Sequence, residues 1–381
     1  MRITIIGWYG TETIGDRAIL AGIISICNNV YESLEISLGS LYPYFSDRTL
    51  NEDYDFYKNL TQKDIKINIF NSTKPKELVN AIKKSDLIAM GGGPLMDVRE
   101  LYLVEYAFKK AKKLGKKTAL LGCGIGPLFN KEFKKSVINI VTYSDIVILR
   151  DSKSVTNLKE IILEFNHSTF DVDYSYDPAV ECALRFNELN SKRESDYICF
   201  NLREFPVSYS NTKIQKDIDR ELTVFLEQIA RKYATKEIKL LPMHYFHKGT
   251  DDRVFLNKIA FDLKLDNINV QNPTLTLSET MEVYQQADIN IGMRFHSVVL
   301  QTIVSGKNFV LDYTEPYKGK ISGFINDIDC NSFYADRYLN LQSDDIDANI
   351  IKDVEKRFEI DKDDVYKRLD VYSKKLKGLV N

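Results

Sequence analysis

The chain has 381 residues, with 52 lysines and arginines against 54 aspartates and glutamates, and a formal net charge of −2. This near-balance argues against a dedicated nucleic-acid binder, which usually carries a strong basic excess. A length of 381 residues is enough for two ordinary domains, because single hydrophobic cores stop growing at about 250–300 residues.

The composition also indicates the compartment. No apolar run reaches the roughly 18 residues of a membrane span, and strand-like sequence beginning at Arg2 leaves no room for a signal peptide. The five scattered cysteines form no C-x-x-C pair, which is typical of reduced core thiols. The four histidines show no zinc-ligand spacing. We therefore expect a cytoplasmic protein with no metal and no cofactor.

In the first half of the chain, short β-branched runs alternate with helical patterns, which indicates a parallel α/β sheet. Strands are predicted at 2–7, 34–39, 65–70, 86–91, 118–124 and 145–150. Helices are predicted at 16–28, 75–84, 98–114 and 131–143. The pattern predicts a first domain over residues 1–180.

The alternation fades around residues 177–196 and then restarts, which places a domain boundary there. Strands are predicted at 197–203, 237–243, 267–271, 289–293 and 308–313, with helices at 213–234, 251–264, 278–287 and 296–305. The second domain is expected at 195–345, and a C-terminal helical segment at 346–381. The predicted fold is α/β, with two Rossmann-like domains facing across a cleft and ligands at the carboxyl ends of the strands.

The last predicted helix, 364–380, carries five basic residues opposite an apolar face. Such a helix either lies on an anionic membrane surface or packs across the protein's own domains. Peripheral association with the inner face of the membrane is therefore left open, and packing is the favoured alternative.

Glycine-rich turns follow three strands of the first domain. They are GWYGTETIGD at 7–16, GGGPLMD at 91–97 and GCGIGP at 122–127. Each could be only a sharp turn, but three on one sheet edge favour close backbone approach to a ligand. No G-x-G-x-x-G followed by an acidic second-strand end occurs, and no G-x-x-x-x-G-K-[ST] occurs. Dinucleotide and P-loop chemistry are therefore not supported.

Basic residues follow strands of both domains. They are Arg150, Arg203, His244, His247, Arg294, His296, Lys318 and Lys320. Guanidinium groups bind phosphate and carboxylate through paired hydrogen bonds, and lysine adds a compact charge. A histidine among them is suited to carry a proton near neutral pH. The sequence therefore predicts an anion site.

These motifs, in this order, resemble those of the polysaccharide pyruvyl transferase family. The resemblance runs from Gly7 to about Ile325. Besides the turns at 7–16 and 91–97, it rests on LGCGIGP at 121–127, LRD at 149–151, NLR at 201–203, P-M-H with a following D-D at 242–252, R-F-H at 294–296 and DYTEPYKGK at 312–320.

The resemblance implies a GT-B-like fold and transfer of the enolpyruvyl unit of phosphoenolpyruvate onto a sugar, which forms a pyruvate ketal and releases phosphate. Phosphoenolpyruvate is then a co-substrate and no cofactor is needed. Arg294 and His296 match the family's donor-site Arg-x-His, and Lys318 matches its lysine; these three are the predicted catalytic residues. Arg150 and Arg203 match further donor-binding positions.

The resemblance assigns the first domain to the acceptor, a sugar or lipid-linked oligosaccharide. Trp8 and Tyr9 offer aromatic faces for a sugar ring, although a tryptophan that only fills space would look the same in the sequence. Thr13 stands where the family usually has asparagine. Gly92 is assigned to the acceptor side, and either Asp16 or Asp97 is the predicted general base.

Two alternatives remain open at this point. A nucleotide-sugar glycosyltransferase of the same build would need an acidic residue for ribose, and Glu315 could serve. An inactive carbohydrate-binding relative is disfavoured because Arg294, His296 and Lys318 are all retained.

Overall fold

The computed structural model of the chain describes residues 1–91, 93–191, 193, 195–206, 215–316 and 319–379. The chain divides into two compact units. The first comprises Met1–Glu12, Asp16–Arg185 and Asp361–Asn381, and the second comprises Thr13–Gly15 and Phe186–Ile360. The predicted limits of 1–180 and 195–345 differ from these units, because the short N-terminal piece and the C-terminal helix each join the unit that is distant in sequence.

The first unit is built on a parallel sheet of order β3-β2-β1-β4-β6-β7-β8, with β5 paired to β6. Its strands are β1 (Arg2–Ile6), β2 (Glu35–Ser40), β3 (Ile67–Asn71), β4 (Leu87–Gly91), β5 (Pro94–Leu95), β6 (Lys117–Ile125), β7 (Ile146–Leu149) and β8 (Asp173–Tyr174). The helices that go with them are α1 (Ile14–Val30), α2 (Pro43–Glu52), α3 (Tyr54–Thr61), α4 (Pro75–Lys84), α5 (Leu101–Lys113), α6 (Lys131–Tyr143), α7 (Ser152–Glu164) and α8 (Pro178–Leu189).

The second unit repeats this arrangement with the order β11-β10-β9-β12-β13-β14, again parallel. Its strands are β9 (Tyr197–Asn201), β10 (Glu237–Leu240), β11 (Ile268–Val270), β12 (Ile289–Gly292), β13 (Asn308–Asp312) and β14 (Tyr338–Asn340). Its helices are α9 (Gln215–Lys232), α10 (Asp252–Leu263), α11 (Leu277–Gln286), α12 (Phe295–Val304) and α13 (Lys320–Ile328).

Four strands, one in the first sheet and three in the second, are buried along their whole length. Every residue of β4, β9, β12 and β13 is buried. A strand that is covered on both faces has a nearly continuous apolar sequence, and the strands were predicted from such sequences. The predicted α/β class with two parallel sheets is confirmed.

The C-terminal helix, α14 (Lys362–Lys377), packs into the first unit. Its Tyr372 hydroxyl donates to the backbone oxygen of Tyr176 at 2.7 Å, and the Tyr31 hydroxyl donates to the Leu376 oxygen at 3.1 Å. On the outer side Lys375 pairs with Asp173 at 2.6 Å. The apolar face is therefore occupied by protein and is not presented to lipid. Within the described residues, no helix combines the length and apolar character needed to cross a bilayer.

Candidate active site

The second sheet reverses its strand order between β9 and β12, and a basic residue follows each of these two strands. In doubly wound sheets ligands bind outside the carboxyl ends of the strands at this reversal. Arg203 comes two residues after β9, and Arg294 comes two residues after β12. The register pairs Asn201 with Gly292, so both strands end at the same level. The sequence therefore delivers two arginines to the point where this fold binds ligands.

Asn201 connects the carboxyl ends of three strands at this reversal through hydrogen bonds. It is 0% exposed; its Oδ1 accepts from the Arg294 backbone N–H at 3.0 Å, and its Nδ2 donates to the Leu241 oxygen at 2.9 Å. Its own backbone oxygen accepts from Met293 N–H at 3.0 Å. One buried amide thus ties the ends of β9, β10 and β12. Our sequence analysis missed this role, although a polar residue closing an apolar strand was the available signal.

Asp252 fixes the Arg294 side chain. The Arg294 Nε donates to both carboxylate oxygens, at 3.0 and 2.7 Å, and Nη2 also donates to Asp252. The same carboxylate accepts the backbone N–H groups of Met243 and His244 at 3.0 and 3.1 Å. Burial lowers the pKa of Arg294, but the charge and hydrogen bonds of Asp252, together with Tyr313 and Asp251, outweigh burial and raise the pKa. Among the described residues nothing accepts from Nη1, so one donor of a fixed guanidinium remains for a ligand.

Arg203 lies in a strongly positive environment. Its guanidinium carbon is 5.5 Å from the centre of the Tyr313 ring, and its Nε donates to the Glu204 oxygen at 3.2 Å. Burial and then the charge of Arg294 lower the pKa of Arg203. The Lys320 ammonium is 5.7 Å from the same ring centre. Two arginines and a lysine therefore surround one position, with Asp252 as the carboxylate that offsets them.

His296 stands at the start of α12, whose N-cap is Arg294. Unpaired N–H groups in the first turn of a helix favour negative charge nearby. The imidazole lies against Gly15, where a Cβ would overlap the ring. Only glycine at residue 15 therefore permits this position of His296, which gives a physical reason for the glycine of the G-D pair in the first loop.

Thr13, which belongs to the second unit, contacts His244 of the same unit. The threonine hydroxyl lies 2.7 Å from His244 Nδ1, and Nε2 lies 2.8 Å from the Lys248 backbone oxygen. A carbonyl only accepts, so Nε2 carries the proton and Nδ1 accepts from Thr13. Burial first, and then the charge of Arg294, lower the pKa of His244 to about 4. His244 is therefore a neutral supporting residue, and Thr13 lies beside the predicted donor residues.

We expect the free energy of unfolding to fall as the pH drops from about 6.5 to about 4 because of His244. In this window the unfolded chain binds a proton at this position and the folded chain does not, so the folded state loses stability. At about 1.4 kcal/mol per pKa unit, the loss approaches 3 kcal/mol. Urea unfolding across this window measures it. His244→Gln should remove this component and His247→Gln, at an exposed position, should keep it; equal pH dependence in wild type and His244→Gln would contradict the assignment.

The two aromatic residues of the first loop are placed differently from each other. Trp8 is half-buried, donates its indole N–H to the Pro94 oxygen at 3.3 Å and packs on the core of the first unit. Its contact with a sugar stays a prediction. Tyr9 is 3% exposed. This corrects the expectation for Tyr9, because both faces of its ring are covered by protein and neither can stack on a sugar.

The predicted acidic residues both lie in the first unit. Asp16 is in the first turn of α1, with the Thr11 hydroxyl 3.4 Å from its Oδ2. Asp97 accepts the backbone N–H groups of Phe129 and Asn130 on Oδ2, at 2.8 and 2.9 Å. Its Oδ1 has no hydrogen-bond partner in the described part of the chain. Gly92 lies outside the described residues.

Arg150 does not occupy the rim position expected for it. It is 3% exposed, with its Nε 3.4 Å from Asp151 and its Nη1 3.6 Å from Asp177. The guanidinium also fills the space beside Gly124 that a Cβ would need. Arg150 is therefore buried in the first unit and not at a rim, and its part in donor binding stays a prediction.

The remaining predicted residues are Lys318 and Glu315. Lys318 lies outside the described residues. Glu315 is exposed, and its role stays a prediction. Asp252 and Tyr313 were not among the predicted site residues, although both stand within the motifs at 242–252 and 312–320. Lys320 was predicted only as one of the cations of the anion site.

The fold is an α/β fold that GT-B glycosyltransferases and sugar epimerases share. UDP-GlcNAc 2-epimerase from Methanocaldococcus jannaschii, in complex with UDP-GlcNAc and UDP, has a TM-score of 0.59 at 13% identity, over 100% of this chain and 99% of that one. UDP-GlcNAc 2-epimerase from Neisseria meningitidis, bound to UDP-GlcNAc, has 0.58 at 11% identity, over 100% and 99%. An α-glucosyltransferase in complex with UDP and DNA has 0.52 at 10% identity, over 100% and 95%. At these identities the similarity establishes the fold alone.

Among proteins with this fold, the chain belongs to the polysaccharide pyruvyl transferase family, whose model matches residues 14–315. The recognition made from the sequence motifs is thereby confirmed. No curated protein sequence matches the chain.

Proposed function

We propose that the protein transfers the enolpyruvyl group of phosphoenolpyruvate to a sugar of a cell-surface polysaccharide or of its lipid-linked precursor, and forms a pyruvate ketal. Membership of the polysaccharide pyruvyl transferase family supports pyruvyl transfer to polysaccharide. The observation that supports the choice of donor is the group of cations at the strand reversal of the second sheet, where burial and then the charge of Arg294 lower the pKa of Arg203.

Phosphoenolpyruvate has a phosphate and a carboxylate, and both need cationic partners. Arg294 offers the Nη1 donor that Asp252 leaves unused, and the Arg203 guanidinium donates from Nε to the Glu204 backbone oxygen. Like charges held close together gain more from an anion than an isolated arginine would. We assign donor binding to Arg203 and Arg294, with Lys318 as a further donor-binding and catalytic residue.

His296 acts as the general acid in this proposal. A proton delivered to the C3 methylene makes C2 oxocarbenium-like, and a sugar hydroxyl then attacks C2. A second hydroxyl displaces phosphate and closes the ketal, and its proton leaves with the phosphate. A group that titrates near neutrality is best suited to the first step.

The acceptor belongs to the first unit in this proposal. Trp8 contacts the sugar ring, and Asp97 or Asp16 takes the proton of the attacking hydroxyl. Asp97 retains one carboxylate oxygen without a hydrogen-bond partner in the described residues, which favours it for this task. A lipid-linked acceptor would bring the protein to the inner face of the membrane.

Calorimetric titration with phosphoenolpyruvate and, separately, with uridine diphosphate tests the donor. Binding of phosphoenolpyruvate, followed by phosphate release with a panel of acceptor glycans, is expected. Binding of the nucleotide with no response to phosphoenolpyruvate would support a nucleotide-sugar glycosyltransferase instead.

Arg294→Ala should weaken phosphoenolpyruvate binding by about 2–5 kcal/mol, because it removes one partner of a buried charge pair with the anion. Arg294→Lys keeps a positive charge opposite Asp252 but lacks the forked donors, so it should fold normally and still bind weakly. Arg231→Ala, which removes an exposed pair with Glu227, is the control and should bind normally. Undiminished donor binding in both Arg294 variants would overturn this placement.

A further inference from the structure

Tyr313 lies within the group of cations and has no role in the proposed chemistry. It directly follows β13 and is 3% exposed. Its backbone oxygen accepts from Gln342 Nε2 at 2.9 Å, which fixes the residue at the end of the strand. The Arg203 guanidinium carbon and the Lys320 ammonium lie 5.5 and 5.7 Å from the centre of its ring. Both cations can only donate, so a phenol oxygen beside them is placed to accept.

The charges that face this hydroxyl come from three elements. Lys320 begins α13, Arg203 follows β9, and Arg294 precedes α12. Burial alone raises the pKa of Tyr313, but these three charges outweigh it, so the pKa lies below its ordinary value. Asp252 does not reverse this balance, because its carboxylate is already engaged by Arg294 and two backbone N–H groups.

The other buried acid near Tyr313 does not supply a substitute anion. Asp312 accepts from the Thr314 backbone N–H at 2.7 Å and from the Tyr338 hydroxyl at 2.6 Å. Burial raises the pKa of Asp312. Among the described residues, Tyr313 lies near both Arg203 and Lys320, so a negative charge on its oxygen would offset the positive charge of both side chains.

We propose that Tyr313 is a positioning residue whose oxygen, as a phenolate, holds Arg203 and Lys320 in the empty site and takes up a proton when an anionic ligand replaces it. The ligand class is a phosphate monoester or inorganic phosphate, and phosphoenolpyruvate is the member named by the proposed function, on which this part rests. The step is an acid–base equilibrium: the phenolate binds one proton from solvent as the anion binds, and no other bond changes.

The physical reason is that the anion and the phenolate compete for the same positive charge. An anion added beside Arg203 and Lys320 raises the proton affinity of a neighbouring phenolate. Over a range of pH, the Tyr313 hydroxyl is deprotonated in the free protein and protonated in the complex. Linkage requires that the affinity for the anion falls as the pH rises through this range. The limiting dependence is about tenfold in the dissociation constant per pH unit.

Proton uptake is measured by calorimetry with inorganic phosphate and with phosphoenolpyruvate in buffers of different ionisation enthalpy. The titrations are made above pH about 8, where histidines with ordinary pKa values near 6.5 are neutral. Wild type should take up part of a proton, up to about one per site. Tyr313→Phe should lose the uptake and the pH dependence. Tyr338→Phe removes the hydroxyl that bonds Asp312 and should keep both.

A spectroscopic readout covers the case in which Tyr313→Phe folds poorly. In wild type the ultraviolet absorption of tyrosinate should appear at lower pH than in free tyrosine, and saturating inorganic phosphate should diminish it. Lys320→Met should move this titration to higher pH, because it removes the cation with the largest effect on the Tyr313 pKa.

Wild type without low-pH tyrosinate, or with no proton uptake on binding phosphate, would overturn the inference, as would uptake that persists in Tyr313→Phe. Binding of inorganic phosphate with proton uptake but no binding of phosphoenolpyruvate would support the role of Tyr313 and reject the donor in the proposed function. The two failures are therefore distinguishable.

Discussion

Asp252→Ala should lower the free energy of unfolding by about 3–5 kcal/mol, because it leaves Arg294 as a buried charge without its partner. Asp252 is 2% exposed, and its carboxylate also accepts the backbone N–H groups of Met243 and His244. Three groups therefore lose their acceptor in one substitution, and an unsatisfied buried donor costs about 1–3 kcal/mol. Urea unfolding at neutral pH measures the loss.

Asp252→Asn separates the charge from the hydrogen bonds. The amide oxygen can still accept from a backbone N–H, so this variant should lose less stability than alanine while Arg294 is still poorly held. Phosphoenolpyruvate binding should then weaken in a protein that remains folded. Alanine and asparagine variants with wild-type stability would show that the ion pair contributes nothing.

His296→Gln should reduce the turnover number by about 10²–10⁴-fold, the usual contribution of a general acid. Glutamine keeps hydrogen bonding but has no titratable proton. Donor affinity, which the arginines provide, should change much less. Steady-state kinetics with saturating acceptor measures turnover, and calorimetry measures donor affinity.

The exposed His247 offers the matched control, and His247→Gln should turn over normally. In deuterated water the wild-type product should carry solvent deuterium in its pyruvyl methyl group. Near-normal turnover of His296→Gln would rule out His296 as the acid and leave Lys318 as the leading candidate.

The fold could be predicted from the sequence because its central strands are uniformly apolar. Runs such as those of β4 and β12 are buried on both faces, so hydrophobicity alone marks them. The short edge strand β8 was not predicted, because two residues carry no periodicity. Neither was α8, at Pro178–Leu189, where the prediction placed a boundary. The first residues of α8 are buried and its last residues are exposed and lead into a charged segment, so this region was taken for a boundary between domains.

The site was only partly predictable for a different reason. Spacing after a strand brings Arg203 and Arg294 to the strand reversal, and this holds in both sequence and structure. Whether an arginine after a strand is buried or faces a ligand depends on its tertiary partners, which the local sequence does not specify. Arg150 meets Asp151 and Asp177 and is buried, whereas Arg294 meets Asp252 and keeps a donor. Tyr313 was missed because two of the cations that act on it, Arg203 and Arg294, are distant in the sequence.

The grouping of Thr13–Gly15 with the second unit determines how the protein can be cut into pieces. A fragment spanning residues 186–360 would contain every strand of the second sheet. It would lack the Ile14 N–H that donates to the Met243 oxygen at 3.0 Å, the Thr13 hydroxyl beside His244, and the glycine backbone against which His296 rests. Truncated fragments, domain-exchange chimeras and isolated-domain binding assays therefore need this N-terminal tripeptide as well, because the second sheet alone is an incomplete site.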